Sequence, residues 1–535
     1  MAALFVSRDQ LEESRGELSR VTVSKEEAST FKYVPGPVSV LNSRFAVLAL
    51  SLALIVFGSG TAFASGILSI LPTHTFQDAD NTVGDYFGNS VAISGNGSEA
   101  LIGSPGATVD GMAAAGKAYL YTQSNGTWSA TPVVTFPDPT LQLADAFGAN
   151  VQLSADGSVA VISSGSSAGN NEFVYVYGKN NGVWSTTPVI QLTNPDPTPA
   201  TPFGDDFGYC TSLSADGNSV LVGADSTQVN GVPSVGRAYI FTQTGGVWSD
   251  TPDVTFTNPG DVKGDEFGCG ALNADGTVAI ITTVYGHSLG GTGRVFIFTQ
   301  SGGVWDTTPT AVFTAGQTGS LGEATVALSG NGDLALLGVG NANANAGAAY
   351  FYAASNGVWP ATPTVTLDSP APTISYFGSP VALSGNGTVA LIVGSTIATD
   401  AASSAVYLYT ETGDAWADTP DAMLVDPHSP KGSSGYDFGL GLASSESGGV
   451  VIVGAPDPPV TAVGIAGGTG AAYIYNEPSA GWASPTPAPA PTTTAAPAPG
   501  AANGGGALGV LGLSALLGLL IRTKHRTSRS PRRKF

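Results

Sequence analysis

A phrase at residues 85–105, "DYFGNSVAISGNGSEALIGSP", returns at 145–165 as "DAFGANVQLSADGSVAVISSG" and then keeps returning. Phe-Gly pairs stand at 87–88, 147–148, 207–208, 267–268, 377–378 and 438–439, and one further copy carries Leu321-Gly322 in their place. The chain thus holds seven units of about 54–61 residues. Each has one of the seven tryptophans: Trp128, Trp184, Trp248, Trp305, Trp359, Trp416 and Trp482. A period of this length marks a stacked or ring-like repeat, because a unit so small cannot cover both faces of its own sheet.

Each unit reads as four strands. "SVAIS" alternates Val91 and Ile93 with small Ala92, the period of a strand. The "GNG" or "ADG" that follows reads as a type I′ hairpin turn, which needs positive φ. "ALIGS" is apolar on both faces. The third strand, "AYLY" at 118 and its six counterparts, always has aromatic residues at its second and fourth positions. Fourteen rings recurring at one structural position point to packing between units rather than to a ligand platform. The fourth strand, "TPVVTF" in the first unit, has proline at its start, where a missing N–H does least harm.

The chain ends decide between an open array and a ring. The seventh unit has three strands and then runs into "ASPTPAPAPTTTAAPAPGAA", with no fourth. "LPTHTFQD" (71–78), ahead of the first Phe-Gly, aligns with "TPVVTFPD" and supplies the missing strand. The expected fold is all-β: a seven-bladed β-propeller of four-stranded blades over 66–484, closed by residues 72–77 completing the last blade.

The chain has 19 basic and 40 acidic residues, and its two end stretches, 1–44 and 522–535, hold 13 of the basic and six of the acidic ones. The middle keeps six basic against 34 acidic, a surface that repels a nucleic-acid backbone. Cys210 and Cys269 lie three and two residues past their Phe, which on regular strands points them to opposite faces and argues against a bridge.

These residues resemble the FG-GAP repeat, the unit of the integrin α-subunit propeller and of many surface proteins. The match is carried by "DYFGNSVAISGNGSEALIGSPG…GKAYLY…W" (85–128) and its counterparts at 206–248 and 436–482, with Gly-Ala-Pro literal at 454–456. The resemblance implies a propeller used for adhesion, ligand binding or scaffolding. Integrin-like blades bind calcium through a D-x-D-x-D-G-x-x-D loop, which is absent here. Acidic residues do precede the Phe-Gly pairs (Asp85, Asp145, Asp205 with Asp206, Asp265 with Glu266, Asp437), and bonding to backbone N–H groups is the simple reading of them. The "DADNTVGD" loop, with Asp78, Asp80 and Asp85, is the calcium candidate. No cofactor is required by any motif, and calcium is the one ion considered.

Residues 45–64 form an apolar segment ending in Ala62-Phe63-Ala64, the pattern of a signal peptide or signal anchor, behind a 1–44 extension. A Pro/Thr/Ala-rich stalk (485–503) leads to an apolar segment (504–521) and a basic tail (522–535). That ending resembles a GlyGly-CTERM sorting segment and is equally compatible with a transmembrane anchor. Asn96, Asn125 and Asn386 head glycosylation sequons that coincide with turns. No catalytic motif is present, so no enzymatic activity is expected. The expected role is an exported, membrane-anchored cell-surface propeller acting as an adhesion or ligand-binding scaffold for an extracellular protein, matrix or glycan. The alternative is a lectin-like or carbohydrate-processing propeller with sites between blades or at the central channel. The loops between second and third strands, 106–116, 283–293 and 456–470, and the "NANANAG" loop (341–347) are the expected contact surface.

Overall fold

The computed structural model describes residues 67–482, except 79, 81, 166–171, 197–203, 261–262, 284–292, 315–324, 399–400, 414, 428–437 and 457–468. Seven small antiparallel sheets follow one another along the chain. The first shows the plan. Its innermost strand β3 (Val91–Ile93) pairs with β4 (Glu99–Ser104), which pairs with β5 (Lys117–Ser124). The outer edge of β5 takes two segments in turn, β6 (Thr127–Trp128) and, after a proline-containing corner, β7 (Val134–Pro137). Together they form a seven-bladed β-propeller.

The ring closes as the repeat alignment predicts. β2 (His74–Gln77) pairs antiparallel with Ala471–Asn476, the third strand of blade seven, in the register His74↔Ile474 to Gln77↔Ala471. Thr73 adds its backbone N–H and its hydroxyl to the carbonyl of Ile474. Ahead of it, β1 (Leu68–Ile70) lies parallel to Ala422–Val425, the outer strand of blade six. The sequence gives no sign of this second attachment. Residues 68–77 therefore clasp two consecutive blades.

The aromatic positions pack blade on blade. In six blades the Phe of Phe-Gly meets the first ring of its own third strand at centroid distances of 5.6–6.0 Å. The second ring meets the outer strand of the preceding blade: Phe76 lies 4.4 Å from Tyr121 and Phe136 lies 4.8 Å from Tyr177. Trp128 and Trp184 stand edge-on to the same two phenylalanines. Thirteen of the fourteen third-strand rings are buried, which removes them as a ligand platform. At ~25 cal/mol per Å² and 150–250 Å² per ring, such burial stabilises each blade interface by several kcal/mol.

The blades also touch through their backbones. Gly116, just before β5, bridges Phe147 of the next blade, and Gly470 bridges Phe87 across the closure. Both glycines are left-handed (φ +97° and +86°), and a Cβ on either would run into the phenylalanine carbonyl oxygen.

At the other end of the inner strands, the seven first hairpins join in a circle of backbone hydrogen bonds. Gly95 donates to Ala155, Ala155 to Ala215, Asp216 to Ala274 and Ala274 to Gly330. Gly330 then donates to Gly385, Asn386 to Glu446 and Glu446 back to Gly95. These hairpins are not type I′ turns as expected. In Ser94–Ser98 only Gly97 is left-handed, and the turn is held by the side chains of Ser94 and Asn96. The type I′ geometry falls at the second hairpin, where Asn125 (φ 51°) and Gly126 (φ 76°) are both left-handed between paired Ser124 and Thr127.

Cys210 and Cys269 form a disulfide between the inner strands of blades three and four, against the expectation from regular strands. Irregularities in the two strands explain it. Between Phe207 and Thr211 three residues oppose one of the partner, and between Phe267 and Gly270 two residues do. The one-residue difference in bulge length brings both cysteines to the position just before the ladder resumes, with Cα atoms 5.2 Å apart. The bridge closes a loop of 59 residues. Its removal in Cys210→Ser/Cys269→Ser is expected to cost about 2–4 kcal/mol, read as a lowered denaturation midpoint that matches the wild type under reducing agent.

Candidate functional site

The face that carries the Phe-Gly pairs also carries the crossings from one blade to the next. Each crossing begins, just after an outer strand, with an Asp or Asn: Asp78, Asp138, Asn194 or Asn258 in the first four. It ends with an Asp two residues before Phe: Asp85, Asp145, Asp205 or Asp265, all buried. The side chain that caps backbone N–H groups is the first of the pair, not the second as the sequence suggested. Asp78 accepts from the N–H of Asp80 and of Thr82, and Asp138 from the N–H of Thr140 (2.8 Å) and Gln142 (3.0 Å).

The second Asp faces the first, and the four crossings treat this pair differently. In the crossings to blades three and four the first residue is an amide. Asn194 Nδ2 donates to Asp205 (2.9 Å), and Asn258 Nδ2 donates to Asp265 (2.8 Å). The first residue of the third strand adds a cation there: Arg294 reaches Asp265 at 3.2 Å, and Arg237 pairs with Asp196. In the crossing to blade one both members are carboxylates. Lys117, at the arginine position, binds the more exposed Asp80 at 2.5 Å. In the crossing to blade two both are again carboxylates, and Phe173 stands where the cation would be.

Asp78, Asp80 and Asp85 thus come together as the sequence proposed: one carboxylate oxygen from each lies within 4.8 Å of the others. Burial, then the charge of Asp78, pushes the Asp85 carboxyl up to about 6, with Lys117 opposing. Burial, then Asp138, pushes Asp145 up to about 7. On the third strands of these two blades, Tyr119 follows Lys117 by two residues and Tyr175 follows Phe173 by two. Tyr119 is 3% exposed, and its hydroxyl has no hydrogen-bond partner among the described residues. Its ionisation is pushed up by burial and then by the charges of Asp78, Asp80 and Asp85. Tyr175, fully buried beside Thr140, answers in the same way to Asp145 and Asp138. Asp145 was noted from the sequence only as one of the acids before Phe-Gly, and Asp138, Tyr119 and Tyr175 were not singled out. Their signal is the change from Asn to Asp at one repeat position.

The other candidates scatter. Asp206 accepts from the Ser226 hydroxyl, and Glu266 is left-handed (φ 50°), pushed up to about 6 by burial and then by Asp206. Asp437 lies outside the described residues, as do Leu321, most of the 283–293 and 456–470 loops, and the apolar end segments 45–64 and 504–521. Among the described residues no helix is long and apolar enough to cross a membrane. Asn96 and Asn386 spend their side-chain oxygens on their own turns, each accepting from the sequon hydroxyl (2.7 and 2.8 Å). Asn125 stands exposed at a hairpin tip. In the 341–347 loop Asn343 and Ala344 are left-handed.

Inside the ring, the inner strands surround a cavity of about 380 Å³ floored by the seven hairpins. Among its described lining residues Glu446 is the one ionisable group. Large apolar side chains are exposed in or just after the crossings, next to the Phe-Gly pairs: Tyr86 (47%), Leu143 (61%), Tyr209 (62%), Tyr376 (42%) and Leu440 (53%). The model of the FG-GAP repeat family matches residues 74–121. That span runs from the closing strand β2 to β5, so the matched unit joins the outer strand of one blade to three strands of the next. No curated protein sequence matches the chain.

Proposed function

We propose that this chain is a non-enzymatic ligand-binding scaffold, displayed on the cell surface by its apolar ends and acidic on its outside. The observation that carries the reading is the set of exposed tyrosines and leucines beside the Phe-Gly pairs. Single exposed apolar residues are ordinary, but these recur on one face of blades one, two, three, six and seven. Tyrosine offers a rigid ring with a polar tip, a combination enriched where proteins bind one another. The Cys210–Cys269 bridge suits an oxidising compartment and supports the export reading. Valines are also exposed at four second hairpins (Val183, Val247, Val304 and Val358), but they carry neither a ring nor a polar tip.

Two measurements test this. Protease added to intact cells is expected to cut in the 485–503 stalk and release the propeller; a chain left whole would sink the display reading. Binding of the purified chain to arrays of matrix proteins and glycans is expected to fall at least tenfold in Tyr86→Ser/Tyr376→Ser. A binder indifferent to those changes uses another surface, and binding to glycans alone would favour the lectin-like alternative.

A further inference from the structure

The Cys210–Cys269 bridge has a buried acid against it: Asp225 Oδ2 lies 4.0 Å from Cys269 Sγ. Asp225 follows the second strand of blade three, at the place of the proline in Gly103-Ser104-Pro105 and Gly454-Ala455-Pro456. The other six units have proline, glycine, valine or threonine there, so the one acid at this repeat position stands beside the one disulfide. Its backbone packs on Gly268, the residue before Cys269; a Cβ on Gly268 would lie 3.4 Å from the Asp225 nitrogen. Asp225 is 5% exposed, whereas both cysteines are half-buried and Tyr209, next to Cys210, is open to solvent. Solvent thus reaches the bridge, and the acid beside it is shut away. A disulfide sulfur carries no proton, so a hydrogen bond across the contact needs the carboxyl to be the donor. Burial, then Asp206 and Glu266, then Glu172, against its own backbone N–H, hold the Asp225 carboxyl well above the usual carboxylate range. It therefore has a proton to give.

We propose that Cys210–Cys269 is an exchange-active bridge, opened in the folded protein by a dithiol, with Asp225 as the acid that protonates Cys269. A thiolate of the dithiol attacks Cys210 Sγ. A new S–S bond forms to Cys210 as the Sγ–Sγ bond breaks, and the electron pair leaves on Cys269 Sγ, which takes its proton from Asp225 Oδ2. The second thiol of the dithiol, deprotonated by solvent, attacks the reagent sulfur of the mixed disulfide. That step closes a cyclic disulfide and releases Cys210 as a thiolate. Cys210 and Asp225 then regain protons from solvent. The dithiol is oxidised by two electrons and the bridge is reduced by two. In the reverse direction the Asp225 carboxylate takes the proton of the Cys269 thiol as the bridge forms. Exchange depends on how well the departing sulfur leaves, and an acid in contact with Cys269 makes it the better leaving group. The chain has two cysteines, so opening the bridge removes the one covalent tie between blades three and four, beside the exposed Tyr209.

Reduction of the folded full chain by dithiothreitol, followed by alkylation and mass spectrometry, tests this. The second-order rate constant, corrected for the fraction of reagent present as thiolate, is expected to be independent of urea well below the unfolding midpoint. It should fall as pH rises through the Asp225 titration, because the proton for Cys269 is then lost. Asp225→Asn should lower the constant by roughly tenfold or more on the acid side and leave it level with pH. Asp206→Asn, which removes the strongest of the neighbouring charges, should move the fall to lower pH without abolishing it. A bridge that opens only by way of unfolding, at a rate that climbs steeply with urea, would overturn the proposal. So would a wild-type constant that is level with pH, or an Asp225→Asn chain that is reduced as fast as the wild type. If Asp225→Asn does not fold, the urea and pH dependence of the wild type decide.

Discussion

A chain lacking residues 66–78 is expected to lose its cooperative melting transition, or to melt more than ~10 °C below the full chain. The deletion removes both β1 and β2. It strips the four-residue ladder and the Thr73 bonds from blade seven, and the parallel pairing from blade six. It also takes Phe76 from between Tyr121 and Trp128, and emptying a buried phenylalanine site costs about 3–5 kcal/mol by itself. The larger effect is topological. Without the clasp the outer strands of two blades become bare edges, and the ring has a gap through which blades one and seven no longer support each other. Scanning calorimetry measures it, and light scattering reports the bare edges as association. A deletion variant that melts like the full chain would show that closure contributes little.

Phe147→Ala is expected to be the most damaging single change, lowering stability by about 3–5 kcal/mol. Its ring is fully buried and lies 5.6 Å from Tyr175 and 6.4 Å from Tyr177. Its backbone N–H is bonded to the Ala115 carbonyl beside Gly116, so the void opens where two blades are already joined. Phe147→Leu keeps most of the volume and is expected to cost less than ~1.5 kcal/mol. The fifth unit carries leucine at that position naturally. Midpoints in denaturant, compared at equal slope, test both; equal losses for Ala and Leu would contradict a packing role.

Repetition made most of the fold legible. "THTF" could be placed in the last blade because six other outer strands show what belongs there, and the third-strand rings could be read as packing because they never skip a unit. What repetition cannot show is anything that happens once. β1 is three residues with no counterpart elsewhere, so its parallel seat on blade six left no pattern. The disulfide depends on a one-residue difference between two bulges, and counting along regular strands puts Cys210 and Cys269 on opposite faces. The turn types were exchanged for a local reason: the serine and Asx side chains of the first hairpin do the work that a second left-handed residue would otherwise do. The acidic crossings fall between these cases. Asp78, Asp80 and Asp85 stand out within eight residues of sequence. The Asp138–Asp145 pair emerges only when four crossings are laid side by side, and its tyrosine only in three dimensions.

The clasp also sets a timetable for a newborn chain. Thr73 waits for Ile474, 401 residues later. At roughly 5–20 residues per second, the first strand to emerge stays unmatched for about 20–80 s while six blades form behind it. In that interval the ribbon from one chain can dock on the unfinished last blade of a neighbour. Crowded synthesis should therefore yield linked dimers by exchange of residues 68–77, each partner completing the other's circle.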